Sequence, residues 1–353
     1  MRHYESRLQA DLSKIQNEVG RIASSVRQSV DEAIHGLLAR DRDRMYAVMI
    51  GDHPINRATR QLDQDIHAFV ARHIPAAGHL RFVSSVLRLN IGLERIGDYS
   101  VTICRVGVHL EGDLPQAIQD DIRTLADQSS RMLELATRAF LKNDADLARD
   151  TAKLSKRVDS THDRVFATLV EHAESLSLMD IIRLQTIYDK LERVSDQAKN
   201  LCEEAVFVTT GETKQPKVYK VLFIDADDRF LAPLTESLAR RAFPTSGQYT
   251  SAGLKPATSY DPSLSVLEDE LQLDLGGPNP TRLAPLAAYP AEYHVIVALN
   301  LDYSQLPEIP FHSALQRWTV DVPEGDAPKA DLVRELNAKL TDLMEMLRGD
   351  SAS

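Results

Sequence analysis

Two segments of the chain, LERIGD at Leu93–Asp98 and LERVSD at Leu191–Asp196, each set a glutamate and an aspartate four residues apart: Glu94 with Asp98, and Glu192 with Asp196. On a helix that spacing puts both carboxylates on one face, one turn apart. Two like charges so placed cost a few tenths of a kcal/mol, and a bound cation reverses the cost. Clustered carboxylates are hard oxygen ligands that suit Mg, Mn, Fe or Ca. Upstream, Asp52 and Asn56 have counterparts at the same four-residue step in Asp159 and Asp163, and these could complete a multinuclear site with the two acidic helices.

Each motif also has a plainer reading. Glu94 and Glu192 could pair with Arg95, Arg88 or Arg193 on a solvated face. Asp52, two residues before Pro54, could cap a helix that restarts at the proline. Cys104 and Cys202, at equivalent positions in the two copies, read as small core residues. The 11 histidines show no zinc-type spacing.

The elements that must carry these residues are helical from about residue 5 to 208, where Pro and Gly are few and apolar residues return every three or four positions. The clearest stripe is Leu184, Ile187, Tyr188, Leu191, Val194, Ala198, Leu201 and Ala205. A second runs Phe82, Val83, Val86, Leu87, Leu93 and Ile96, interrupted by the polar Asn90. Both predict core-facing helices of a bundle. Breaks near Pro75, Glu111–Pro115, Lys142–Asp146 and Glu174–Ser177 divide the region into about six long helices. The duplicated motif makes them two three-helix units, 1–112 and 113–208.

TTGETKQPK, Thr209–Lys217, reads as a linker. Beyond it the pattern becomes α/β: VYKVLFI and YHVIVAL are buried strands, QRWTVDV a third, APLTESLARRAF a helix and the stretch from Ala327 to Leu347 a closing helix. The fold class is therefore multidomain, all-α tandem three-helix bundles followed by an α/β domain with a parallel sheet, over 218–349.

A chain of 353 residues, 43% hydrophobic and 26% charged, has the composition of a folded protein. Its net charge of -11 disfavours sequence-independent binding to nucleic acid or anionic lipid. No apolar run is long enough to span a bilayer, and MRHYESRLQADL carries no secretory apolar core. A cytoplasmic protein with reduced thiols, and without direct membrane insertion, is the expectation.

The duplicated LERIGD/LERVSD, preceded by GDHPIN and AAGHLRFVSSVLRLN, resembles the PhoU family over residues 1–208. The resemblance implies a homodimer that modulates a phosphate ABC transporter, through its ATPase subunit, and a partner sensor histidine kinase. It also implies metal ions, Mg, Mn, Fe or Zn, on the acidic helices, at Asp52, Glu94, Asp98, Asp159, Asp163, Glu192 and Asp196 with support from Asn56, Arg95 and Arg193. The second copy departs from the first in carrying Ser195 where Gly97 stands, and in a shorter connection.

VLFIDADDRFLAPLTESLA, with TSAGLKPA, YHVIVAL and RWTVDVP, resembles low-molecular-weight tyrosine phosphatases and arsenate reductases over 218–349. That family's first strand ends in a Cys-x5-Arg phosphate loop at a helix N-terminus. Here Asp225 stands for the cysteine and Leu231 for the arginine, with Asp227 and Asp228 between them. Three carboxylates would then face the place of the dianion, and Asp321 and Pro323 are split by Val322 where the family has its acid Asp-Pro. The resemblance with these departures implies a catalytically inactive module. A receiver-type or dehalogenase-type pocket, with Asp225 as a metal-dependent phosphoryl acceptor and Asp302 as a poor further candidate, and a purely structural aspartate cluster stay open beside it.

Overall fold

The computed structural model describes residues 2–213, 217–275, 277, 279–283, 293–310, 313–323 and 329–349. The chain divides into two compact units, Met1–Lys214 and Gln215–Ser353.

The first unit is helical throughout: α1 Arg2–Leu38, α2 Arg42–His73, α3 Ala77–Gly107, α4 Gln116–Lys142, α5 Ala145–Ala152, α6 Ser155–Glu171 and α7 Leu178–Thr210. Within it α1, α2 and α3 pack on one another, α7 packs on α4, α5 and α6, and α3 lies against α7, so the two motif helices are neighbours. The apolar stripes do what their spacing predicts. Leu184, Ile187, Tyr188, Leu191, Val194, Ala198, Leu201 and Ala205 are all buried, as are Phe82, Val83, Val86, Leu93 and Ile96, while Leu87 is half-buried at the margin. Asn90 is buried as well. Its Nδ2 donates to the Thr59 carbonyl and to Asp63 Oδ1, both at 2.8 Å, so the polar interruption is a tie between α3 and α2 rather than a gap. Cys104 and Cys202 are buried free thiols in the core.

Several expected boundaries differ. Seven helices stand where about six were expected: besides the four expected breaks, the chain turns at Ala39–Arg40 and breaks between α5 and α6. Neither turn contains Pro or Gly. The first is fixed by Arg40 in the left-handed region (φ 56°) and by Asp41, whose side chain accepts the Arg44 amide at 2.9 Å. The cap of α2 is thus Asp41, and Asp52 is not a cap: it lies mid-helix, and α2 runs through Pro54. The helix α7 extends to Thr210 and ends on Gly211 (φ 79°), two residues into the expected linker.

The second unit contains β1 Tyr219–Asp225, α8 Leu231–Ala242, β2 Gly247–Gly253, α9 Pro262–Leu271, β3 Val295–Leu299, a 3-10 turn Tyr303–Gln305, β4 Ala314–Trp318 and α10 Ala330–Arg348. Its four strands pair in parallel, in the order β2-β1-β3-β4. Val221 and Phe223 of β1 face a core that includes Leu234 and Leu238 of α8 and Leu336 and Leu340 of α10. Leu222 and Ile224 face a second layer with Ile296 and Ala298. The strand β2 and helix α9 carry no strong apolar signature and were not anticipated. β4 begins two residues before the expected QRWTVDV strand and ends at Trp318. Because the chain crosses from β1 to β2 on one side and to β3 on the other, the switch point of the sheet lies at the carboxyl ends of β1 and β3. Open α/β sheets place their ligand crevices there. The loop after β1 holds Asp225, Asp227 and Asp228.

Among the described residues no helix is long and apolar enough to cross a membrane.

Candidate functional site: carboxylates on paired helices

In the first repeat α2 supplies Asp52 and Asn56, one turn apart, and α3 supplies Glu94 and Asp98. Asp52 is only 7% exposed. Its Oδ2 accepts Asn56 Nδ2 at 2.6 Å, but its Oδ1, and Asn56 Oδ1, are buried without any hydrogen-bond partner. The two helices meet at Gly97: a Cβ there would sit 3.0 Å from Asp52 Oδ1, so the orphan oxygen points at α3 between Glu94 and Asp98. Burial, and then the charge of Asp98, raises the Asp52 carboxyl above the ordinary aspartate range. Burial, followed by Asp98 and Asp52, raises Glu94. Unpaired buried acceptors cost about 1–3 kcal/mol each, and an oxygen-seeking cation is the partner that would satisfy several at once.

The arginines of the plain reading act on the motif through space, Arg95 lowering the Glu94 carboxyl and Arg193 that of Glu192, but among the described residues they do not pair with it directly. Arg88 forks onto Glu204 at 2.6 and 2.7 Å, and among the described residues neither Glu94 nor Glu192 forms an ion pair. Arg95 and Arg193 are exposed.

In the second repeat α7 supplies Glu192, half-buried, and Asp196, exposed, while α6 supplies Asp159, exposed. The Asp163 side chain lies outside the described residues. Burial, Asp196 and Asp159 push the Glu192 carboxyl up to about 7, with the nearby His162 acting in the opposite direction. The glycine of the first repeat is replaced by Ser195, which is buried and donates to the Glu192 carbonyl at 2.9 Å. His162 was not anticipated as a neighbour of this carboxylate pair. The signal was present in the sequence as Asp159-x-x-His162, a spacing that shares a helix face. Among the described residues no three His, Cys, Asp or Glu side chains stand close enough to hold an ion as they are placed. What fits a cation is the orphan pair of oxygens at Asp52 and Asn56 and the all-oxygen character of the donors around them.

The acidic loop of the second unit is arranged oppositely. Asp225 is 5% exposed and fully engaged: Oδ1 accepts the amides of Asp227 (3.1 Å) and Asp228 (2.5 Å), and Oδ2 accepts the amide of Ala232 (2.9 Å) in the first turn of α8. Asp227 accepts the Arg229 amide at 3.2 Å. Asp228, in the left-handed region (φ 53°), accepts the Thr281 amide at 2.6 Å through Oδ2 and keeps Oδ1 buried and unpartnered. The three carboxylates therefore do not converge on an open anion position, contrary to the expectation from the sequence: Asp225 and Asp227 take up the loop's own amides, and Asp228 takes that of Thr281. Leu231 is a buried residue of the first turn of α8. The loop carbonyls are used as well, by Leu254 on Asp225, Lys255 on Ala226 and Ala257 on Asp227. Gly253 presses on this loop so closely that a Cβ would lie 2.5 Å from the Asp227 carbonyl carbon.

The class that fold and site define is a helical bundle of two repeats, each presenting a carboxylate pair on its last long helix. The model of the PhoU domain matches residues 19–106 and again 122–205, and the helical unit is a tandem PhoU-family domain. A phosphate-specific transport system accessory protein PhoU homolog of Pseudomonas putida is 29% identical over 213 residues, 59% of this chain and 83% of that protein. The phosphate-specific transport system accessory protein PhoU of Escherichia coli K12 is 24% identical over 60% of this chain and 88% of its own. The crystal structure of PhoU from Pseudomonas aeruginosa superposes with a TM-score of 0.55 at 28% identity, covering 58% of this chain and 99% of that one.

Proposed function

We propose that the chain is an accessory regulator of phosphate-specific transport. In this reading the tandem helical unit binds metal ions on its carboxylate helices and works in the cytoplasm, as a homodimer, between the ATPase subunit of a phosphate ABC transporter and a phosphate sensor histidine kinase. The observation that carries the metal-binding part is the buried, unpartnered Asp52 Oδ1 aimed at the Glu94–Asp98 face. Asp52, Asn56, Glu94 and Asp98 would hold the first ion or ions, and Asp159, Asp163, Glu192 and Asp196 the second. The printed descriptions of the relatives support the transport role.

The α/β unit, which resembles low-molecular-weight phosphatases, serves in this reading as a non-catalytic module. Supporting that is the state of Asp225: a carboxylate already holding three amides is a poor nucleophile and a poor metal ligand. The alternative, metal-dependent phosphoryl transfer through Asp225, requires turnover of acetyl phosphate or an aryl phosphate with Mg that Asp225→Asn abolishes. We expect no turnover from either protein.

Elemental analysis of the purified full chain tests the metal site, with metal expected in the wild type and reduced in Glu94→Ala and Glu192→Ala. Absence of metal from protein refolded with Mg, Mn, Fe and Zn would remove the site. Pull-downs from phosphate-starved and phosphate-replete cells test the partners, and recovery of neither transporter nor kinase components would overturn the adaptor role.

A further inference from the structure

The second repeat carries apolar side chains that its own core does not use. Phe166 and Val170 of α6 and Leu178, Met179 and Ile182 of α7 are each more than half exposed. The two helices pack as an antiparallel hairpin joined through 172–177, and His162 Nε2, 3.2 Å from Asp189 Oδ1, fixes how they lie against each other. Phe166 and Val170 follow His162 by one and two turns on its face of α6. Ile182 and Leu178 precede Asp189 by two and three turns on its face of α7. The side chains therefore form one patch toward the closed end of the hairpin, and contiguous exposed patches mark interaction sites where scattered apolar residues do not. The repeat fold does not demand them. At the equivalent positions the first repeat has Thr59, Asp63, Leu80, Arg81 and Ser84, apolar only at Leu80. There Thr59 is buried and Asp63 accepts from Asn90 at 2.8 Å.

The charges around the patch say what covers it. From Phe166 to Ile182 the chain has no Lys or Arg, and its acids are Glu171, Glu174 and Asp180. Asp180 is buried and taken up by Arg183 at 3.0 Å. Glu171 and Glu174 are exposed, and among the described residues neither has an ion pair or a hydrogen bond. At the opposite edge stands Asp189, half-buried. An apolar strip with carboxylates at both ends complements a helix that has one apolar face flanked by Lys or Arg. Leu178 to Asp189 is about 16 Å along α7, a length that a helix of about twelve residues spans. A second copy of the chain fits less well, because with acids at both ends either orientation of a two-fold contact sets acids against acids. An anionic membrane surface is repelled for the same reason. We propose that this face of the second repeat docks a basic amphipathic helix of a partner protein, its apolar side chains on the patch and its Lys or Arg on Glu171, Glu174 and Asp189. The inference rests on the adaptor reading above, needs no metal, and adds the surface and the chemistry of what it receives.

The test measures fluorescence anisotropy of a labelled peptide of about fifteen residues, built only of Leu and Lys with Leu at helical spacing, against the full chain. One control peptide has the same composition rearranged to leave no apolar face, and another has Glu in place of Lys. The wild type should bind the Leu/Lys helix at least tenfold more tightly than either control, and added salt should weaken that binding. Phe166→Ser combined with Ile182→Ser should lower the affinity at least tenfold, and Glu171→Lys combined with Glu174→Lys about threefold or more. Thermal melts of these variants should match the wild type, because the altered side chains are exposed. Equal binding by the serine variant, or equal binding of the Glu peptide, overturns the proposal. So does a wild-type dimer in sedimentation equilibrium, or binding to phosphatidylcholine vesicles, that the serine variant abolishes, since either gives the patch a different occupant. In pull-downs, transporter or kinase components recovered equally by wild type and serine variant overturn this surface and leave the adaptor reading standing. Recovery by neither overturns both.

Discussion

Asp52 in the helical unit and Asp225 in the α/β unit are both buried aspartates, 7% and 5% exposed, and they are in opposite states. Asp225 has every need met by its own loop: three amides converge on two oxygens, and the nearest elements seal the loop's carbonyls. Asp52 has one hydrogen-bond partner, Asn56, and one oxygen with nothing to accept from. Burial raises the pKa of both, and in Asp225 amide donation works against that rise while in Asp52 a second carboxylate adds to it. A buried acid that the backbone satisfies is a structural part. One set beside further acids and left with an unpartnered oxygen is the feature on which the metal-binding proposal rests.

The largest effect should come from breaking the satisfied member. Asp225→Ala strands three amides, two of them fully buried at a cost of about 1–3 kcal/mol each, so a loss of at least about 2 kcal/mol is expected. Circular dichroism melting should show the α/β unit unfolding early while the helical transition stays in place. A single unshifted melt would mean that the loop is not held by this carboxylate.

Next in size is the pH dependence contributed by Asp228, whose carboxyl burial pushes up to about 7 from an ordinary value of 3.8. The folded chain keeps this proton over a range in which the unfolded chain releases it. Its stabilising contribution is therefore complete below about pH 4 and is lost as the pH rises toward 7. Asp228→Asn removes that slope. Asparagine tolerates the left-handed backbone, can still accept from Thr281, and turns the orphan oxygen into a donor beside Asp225 and Glu236. Denaturation of the α/β unit at pH 8 should become harder by about 1–2 kcal/mol, with little change at pH 4. Equal effects at both pH values would locate the strain elsewhere.

How far the sequence foretold this contrast follows from what each feature depends on. The helical stripes, the α/β strands and the paired motifs were legible because they are local and periodic: Leu184 to Ala205 needs only a 3.6-residue repeat to be read as a buried face. The turn at Arg40 was hidden because a left-handed arginine leaves no compositional mark. The strand β2 was hidden because Gly247–Gly253 alternates weakly and owes its place to pairing with β1. In the candidate site the residue types were readable, but their states were not. Asp225 and Asp52 look alike in a string of letters, and only the fold reveals that one has amides and the other has Glu94 and Asp98.

A smaller effect on stability, with a large one on binding, is expected at the helix contact of the first centre. Gly97→Ala gains about 1 kcal/mol of helix propensity but crowds Asp52 Oδ1, so the two terms offset and thermal stability should hardly move. The space for an ion is lost, and affinity for Mn should fall at least tenfold by calorimetry. In the second repeat Ser195→Gly should lower stability by the propensity difference, roughly 0.5 kcal/mol, without a matching change in Mn affinity at the first centre. Equal affinity losses in both variants would mean that the centres are coupled rather than separately built.

A comparably small effect on the cation-free protein belongs to Asp52→Asn, and it separates the two kinds of buried acid most directly. Replacing the carboxylate by an amide relieves the repulsion from Asp98 and Glu94 and gives Asn56 Oδ1 a possible donor, so chelator-treated protein should be unchanged or stabilised by up to about 1 kcal/mol. The same change at Asp225 replaces an acceptor that three amides need. With saturating Mn the order reverses: a ligand at 100 times its dissociation constant adds about 2.7 kcal/mol to the wild type, and the variant should show no such increment. A Tm that rises with Mn equally in both proteins would remove Asp52 from the site, and with it the claim that its unpartnered oxygen marks a place for an ion.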